Sequence, residues 1–305
     1  MAEAHPHWQT RPEAGSSFGM RLLIWIAGIC GRRVLHWILI PVSVYFLCTR
    51  APERRASRTY LTRVFERPAT LLECWRHFYA FARMSADRMF FLSGQAERVP
   101  VTFVGGPEAQ AVVDGDQRGL FLAAHLGSFE AARVLGEFFG GMDLRIVLDQ
   151  QQGARIATLA AELNPELGNK VIDAGRDNVA LGLSIGEALR DGAWVGFLAD
   201  RHRPGDRTLA VPFLGQPAAF PIGPYLIANT FKAPVICAFC RLTRRGYEVH
   251  CEVLSERVAL DRRDREAQLE ALLRRYVARL EVHVRASPYA WFNFYDFWAT
   301  ADAAA

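Results

Sequence analysis

The chain has 305 residues, about half of them apolar, and carries a formal charge of +4. That length suits one large α/β domain, or a domain with an appendage, able to bury a core. The positive charge is almost wholly arginine, Lys170 and Lys232 being the only lysines, and no basic stripe interleaved with aromatic residues marks a nucleic-acid surface; the expectation is no nucleic-acid partner. Cys30, Cys48, Cys74, Cys237, Cys240 and Cys251 are scattered through a chain too large to need disulfide stapling, which suits a reducing cytoplasm.

In chain order, residues 1–18 read as a loose polar tail. Two apolar runs follow, Leu22 to Cys30 and Val34 to Cys48, split by Gly31-Arg32-Arg33. One spanning helix would bury both arginines near its middle, at roughly 2.5 to 3.5 kcal/mol each, and the second run alone falls short of the roughly 20 residues a crossing needs. A signal peptide is not expected, because a long polar segment precedes the run and no small-residue cleavage site follows it. Behind the runs crowd Arg50, Arg54, Arg55, Arg58, Arg63 and Arg67, with Trp25, Trp37 and Tyr45 suited to an interface. Residues 20–67 therefore read as a monotopic hairpin on the cytoplasmic face of an anionic membrane, within an N-terminal region of residues 1–70. A pair of core helices with a solvated arginine face fits the same residues.

From about residue 100 strand-like and helix-like stretches alternate. Strands are expected at Val101 to Val104, Leu120 to Ala124, Leu144 to Leu148, Lys170 to Asp173, Trp194 to Ala199, Val235 to Leu242 and Tyr247 to Leu254. Helices are expected around residues 130–139, 154–163, 178–190 and 222–231, with a charged helix from Asp261 to Arg285 and an aromatic tail from Pro288 to Trp298. The fold class is α/β, a mixed central sheet flanked by helices, and residues 71–305 form its main domain.

Chemistry concentrates after the second of these strands. His125 lies in the crossover from Leu120–Ala124 to a helix opening at Phe129, with Ser128 as its N-cap. Ligands collect at such crossovers, outside the carboxyl ends of the strands. A neutral imidazole with a pKa of roughly 6.5 can take a proton from a hydroxyl, and a carboxylate beside it, here Glu130, would fix its tautomer. A core histidine and a helix-capping acid would look the same. Strand Trp194 to Ala199 would deliver Asp200, Arg201 and His202 to the same edge if the two strands run parallel.

Two further patterns compete. Gly182-Leu-Ser184-Ile-Gly186 matches the G-x-S-x-G elbow of serine hydrolases, but its apolar spacing is helical on both sides, whereas the elbow needs a strand running into the serine. Cys237-Ala-Phe-Cys240 has zinc-like spacing but sits in a strand, where residues three apart point to opposite faces, and no metal is expected there.

Taken together, the His125-x4-Glu130 box, Gly196-Phe-Leu-Ala-Asp200, Val211-Pro-Phe-Leu-Gly-Gln-Pro-Ala-Ala219 and the apolar, basic N-terminus resemble the bacterial lipid A biosynthesis (lauroyl/myristoyl) acyltransferases of the lysophospholipid acyltransferase superfamily, over residues 20–298. The resemblance implies an enzyme at the cytoplasmic face of the inner membrane that moves a fatty acyl chain from acyl carrier protein to a hydroxyl of a lipid or glycolipid. It implies His125 as general base and Glu130 as its orienter. Asp200, Arg201 and His202, with Arg176 as a phosphate or oxyanion contact, would organise the acceptor or the oxyanion. No cofactor or metal is implied, because a thioester is already activated. The acidic, aromatic tail and the Asp200-Arg201-His202 sequence depart from the lipid A enzymes. The tail resembles a subgroup associated with aryl polyene and similar pigment lipids, which implies an acceptor other than the lipid A disaccharide. A serine esterase using Ser184 and a catalytically silent membrane scaffold are the competing readings.

Overall fold

The computed structural model is described over residues 17–133, 139–148, 170–175, 178–203 and 205–299. Three helices lead: α1 (Ser17–Thr49), α2 (Ala51–Phe65) and α3 (Leu71–Leu92). A break at Gly31 divides α1, with a φ of 77° that L side chains rarely adopt. Leu35, Leu39, Ser43 and Leu47 of α1 are buried, while Val34, Trp37, Ile38, Val42 and Tyr45 are exposed. Arg32 does not sit in an apolar setting. Its guanidinium grips Asp87 of α3 through Nε (2.7 Å) and a terminal nitrogen (2.8 Å), and the buried carboxylate also accepts from the Tyr247 hydroxyl (2.9 Å). No single helix among the described residues is long and apolar enough to cross a membrane; the segments Gly31–Thr49 and Ala51–Phe65 meet at 97°.

Helix α3 starts at a capping box, in which the Thr70 hydroxyl accepts from the Glu73 backbone N–H and the Glu73 carboxylate accepts from that of Thr70. Next come β1 (Val101–Gly105), α4 (Pro107–Asp114), β2 (Leu120–Ala123), α5 (Phe129–Arg133), β3 (Leu144–Leu148), β4 (Val171–Asp173), α6 (Asn178–Arg190) and β5 (Trp194–Leu198). A hairpin of β6 (Thr208–Phe213) and β7 (Gln216–Pro221) precedes α7 (Gly223–Phe231), β8 (Val235–Leu242), β9 (Tyr247–Ser255) and α8 (Arg265–Ala286).

The main sheet has seven strands in the order β1-β9-β8-β2-β5-β3-β4. All neighbours are parallel except β8 and β9, so the sheet is mixed as expected. Central strand β2 is buried along its whole length, as the unbroken run Leu120-Phe-Leu-Ala123 requires of a strand covered on both faces. Alternate residues feed two cores: Leu120, Leu122, Val195 and Cys237 on one face, and Phe121, Trp194, Ile236 and Cys240 on the other. The two cysteines of the C-x-x-C pattern thus point away from each other, and no metal-binding cluster occurs among the described residues. β2 and β5 run in parallel register from Leu120 opposite Val195 to Ala123 opposite Leu198. Both strands therefore release their chains at one edge.

Candidate functional site

At that edge β2 ends, and residues 124–128 make a tight crossover into α5. Ser128 caps the helix, its hydroxyl oxygen accepting from the Ala131 N–H at 3.1 Å. Gly127 is required there: its φ is +67°, and a Cβ would stand 2.4 Å from the Cys240 carbonyl oxygen. The C-terminal segment fastens the crossover from outside. Gly127 N–H donates to Ala290 O (2.7 Å) and Phe292 N–H to His125 O (2.8 Å), around a bridge between Leu126 and Trp291.

His125 meets the chain leaving β5. Its ring Nδ1 lies 2.8 Å from Asp200 Oδ1, and its backbone N–H donates to Oδ2 at 3.0 Å. Oδ2 also accepts from Trp291 Nε1 and Asn293 Nδ2, each at 3.0 Å. Asp200 is fully buried, while the His125 side chain keeps 24 % of its surface exposed. Burial pushes the Asp200 carboxyl upward, but the His125 charge and hydrogen bond, Arg201 and Asn293 outweigh it and hold the group at about 2. An ionised Asp200 accepts only, so Nδ1 carries the proton and Nε2 presents its lone pair. Burial, followed by the Arg201 charge and opposed by Asp200, lowers the His125 pKa below the ordinary histidine value. A neutral imidazole with one nitrogen anchored and the other unengaged can accept a proton from a hydroxyl.

The partner of His125 is thus Asp200, where the sequence pointed to Glu130. No hydrogen bond or ion pair joins His125 to Glu130 among the described residues; Glu130 is held by Arg88 of α3 at 2.6 Å and by the Ser128 hydroxyl at 3.2 Å. The reason is directional. Glu130 lies in the first turn of α5, and its side chain runs back towards the cap, whereas Asp200 leaves the neighbouring parallel strand level with the imidazole. Asp200 consequently has no accessible face for a substrate, in contrast to the acceptor-organising role expected of it. Arg201 is likewise committed, its Nε donating to Asn293 Oδ1 and a terminal nitrogen to Phe292 O (2.7 Å). His202 packs nearby with Nδ1 3.4 Å from Arg203 O. Arg176 lies outside the described residues.

Three functional contacts escaped the sequence: Trp291, Asn293 and Arg88. Asn293 left a trace, a lone amide inside an aromatic run, of the kind kept for a specific hydrogen bond. Ser184 sits inside α6, six residues from each end, with no strand feeding it, so the elbow geometry of a serine hydrolase is absent at this serine.

A comparison with curated proteins found no match. The family model described as bacterial lipid A biosynthesis acyltransferase matches residues 130–300, more than half of the chain, and begins five residues after His125. The matched stretch includes the Asp200, Trp291 and Asn293 that hold the imidazole. The chain belongs to the bacterial lipid A biosynthesis acyltransferase family, and as a member it is an enzyme that transfers an acyl group to a lipid.

Proposed function

We propose that the chain transfers a fatty acyl group from acyl carrier protein to a hydroxyl of a lipid or glycolipid acceptor, at the cytoplasmic face of the bacterial inner membrane, with His125 as general base. The observation that carries this reading is the His125 ring, with Nδ1 on a buried carboxylate and Nε2 without a hydrogen bond among the described residues. Nε2 takes the acceptor proton as the hydroxyl oxygen attacks the thioester carbonyl, and Asp200 stabilises the imidazolium. Collapse of the tetrahedral intermediate forms the ester and expels the thiolate, which recovers the proton from Nε2. No step calls for a metal or bound cofactor.

The membrane side is supported by the exposed stripe of α1, where Trp37 is 73 % and Tyr45 62 % exposed beside Val34, Ile38 and Val42, with Arg50 exposed at its end and Arg55 and Arg58 exposed on α2. An apolar face rimmed by arginine and aromatic side chains suits an anionic bilayer surface. For the acceptor, the resemblance of the tail from Trp291 to Trp298 to the aryl polyene subgroup implies a lipid other than the lipid A disaccharide.

Parallel His125→Ala and Ser184→Ala variants, assayed for acyl transfer from acyl carrier protein to a bacterial lipid extract with mass-spectrometric detection, test the reading. Transfer lost only in the first is expected. Loss only in the second would reinstate the esterase, and transfer unchanged in both would leave His125 without the role given to it. Recovery of lipid A acylation in a strain lacking its own late acyltransferase would overturn the narrower acceptor.

A further inference from the structure

Arg88 stands in α3, outside the matched segment, yet its guanidinium reaches the site. Its Nε lies 2.6 Å from Glu130 Oε1 as an ion pair off hydrogen-bonding alignment, with the two side chains 23 % and 10 % exposed. The other Glu130 oxygen takes the Ser128 hydroxyl, so one carboxylate links α3 to the capped crossover that carries His125. A largely buried ion pair is a poor investment for stability alone, since desolvating both charges offsets most of their attraction.

The charges around His125 explain its presence. Asp200 touches the ring, and Arg201 follows it in the chain. Arg88 and Glu130 come from α3 and α5. Among the described residues, four further titratable groups of the packed elements stay neutral near pH 7: burial raises Tyr276 of α8 and Tyr295 of the C-terminal segment, pushes Cys240 of β8 up to about 12, and lowers His77 of α3 to about 3. Among the described residues, Asp200, Arg201 and Arg88 therefore act on the imidazole, and Glu130 is the partner of Arg88.

We infer that Arg88 is a positioning residue of this site: it ties the Glu130 carboxylate, and with it the Ser128-capped crossover that carries His125, to α3. Both arginines oppose protonation of His125, and Asp200 favours it. Losing Arg88 removes one opposing cation and leaves Glu130 unpaired, and the imidazole then keeps its proton to higher pH. This rests on His125 being the base of the proposed transfer, but its charge prediction is read without turnover.

The test is a titration of the His125 ring by NMR in the full chain labelled at histidine, alongside the pH dependence of acyl transfer. In Arg88→Met the His125 titration and the acid limb of kcat/KM move upward; in Arg88→Lys, which keeps the cation, they stay near the wild type. Glu130→Gln leaves Arg88 unopposed, and the titration moves downward. Opposite shifts from the two halves of one pair are not produced by a merely structural contact. A folded Arg88→Met with an unmoved titration overturns the inference; should that variant fail to fold, an unmoved titration in Glu130→Gln does so. Absence of transfer by the wild type, or its survival in His125→Ala, brings down the functional reading instead, and the titration still decides the role of Arg88.

Discussion

Two histidines hang from the same C-terminal segment and do opposite things with their nitrogens. His77, in α3, is wholly buried and saturated: the Ser57 hydroxyl meets Nδ1 at 2.9 Å, and Nε2 donates to the Trp291 carbonyl at 2.9 Å. Its ring stacks on Phe294 with centroids 4.4 Å apart, and burial lowers its pKa to about 3. His125 is anchored through Nδ1, and no hydrogen bond to its Nε2 occurs among the described residues. Satisfied nitrogens make a histidine structural. An anchored ring with no second partner among the described residues is what the proposed base requires.

The comparison is broken most severely at Asp200. In Asp200→Asn the amide oxygen still serves the donors that converge on Oδ2, which leaves the NH2 group facing His125 Nδ1. The imidazole must then accept at Nδ1 and carry its proton on Nε2, the wrong tautomer for a base. Acyl transfer should fall by about 10³ to 10⁴, the scale of losing a tautomer-fixing carboxylate. Retention of full activity by this variant would remove Asp200 from the mechanism.

His77→Phe sharpens the other half. It keeps a ring in the stack but strands the Ser57 hydroxyl and the Trp291 carbonyl, at about 1–3 kcal/mol for each buried group left unpaired. The expected outcome is a lower denaturant midpoint with transfer per folded molecule largely preserved. A variant that keeps its midpoint and loses transfer would show that the two histidines are not divided as described. The pH dependence of stability follows the same division. The unfolded chain protonates His77 below its ordinary value of 6.5, while the folded chain resists until about 3, so this contribution is full above pH 6.5 and declines as pH falls through that window.

How much of this was legible beforehand depended on sequence range. β3 and β8 are readable to the residue, and β2 and β5 to within one, because each is a short, predominantly apolar run, unbroken in β2 and β5 and interrupted only by Arg145 in β3 and Arg241 in β8. The β6–β7 hairpin was not read as strands. Pro212, Pro217 and Pro221 argue against a central strand, and only a two-stranded ribbon outside the main sheet accommodates them. The start of α3 is marked in the sequence by the Thr70 and Glu73 capping box. At the site, His125 was found from its strand-to-helix context, and its shared edge with Asp200 followed once parallel strands were supposed. The identity of its carboxylate was not legible, since Glu130 is five positions away and Asp200 is 75. Trp291, Asn293 and Arg88 belong to segments whose approach is set by tertiary packing alone.

The smallest expected effect concerns the aromatic half of the site. Trp291 is fully buried against Tyr60 and Phe213 and donates its indole N–H to Asp200 at 3.0 Å. Trp291→Phe keeps most of the ring volume and the backbone hydrogen bonds of the segment, and it removes one of the three donors on Oδ2. The carboxylate remains bound by His125 and Asn293, so its ionisation and the tautomer of His125 persist. A hydrogen bond to a charged group is worth about 1.5–3 kcal/mol, which sets the loss of stability expected on denaturant unfolding. Acyl transfer should fall by no more than about tenfold, the effect of about 1.4 kcal/mol on a barrier. A loss as deep as that of Asp200→Asn would mean that the indole does more than hold the acid in place.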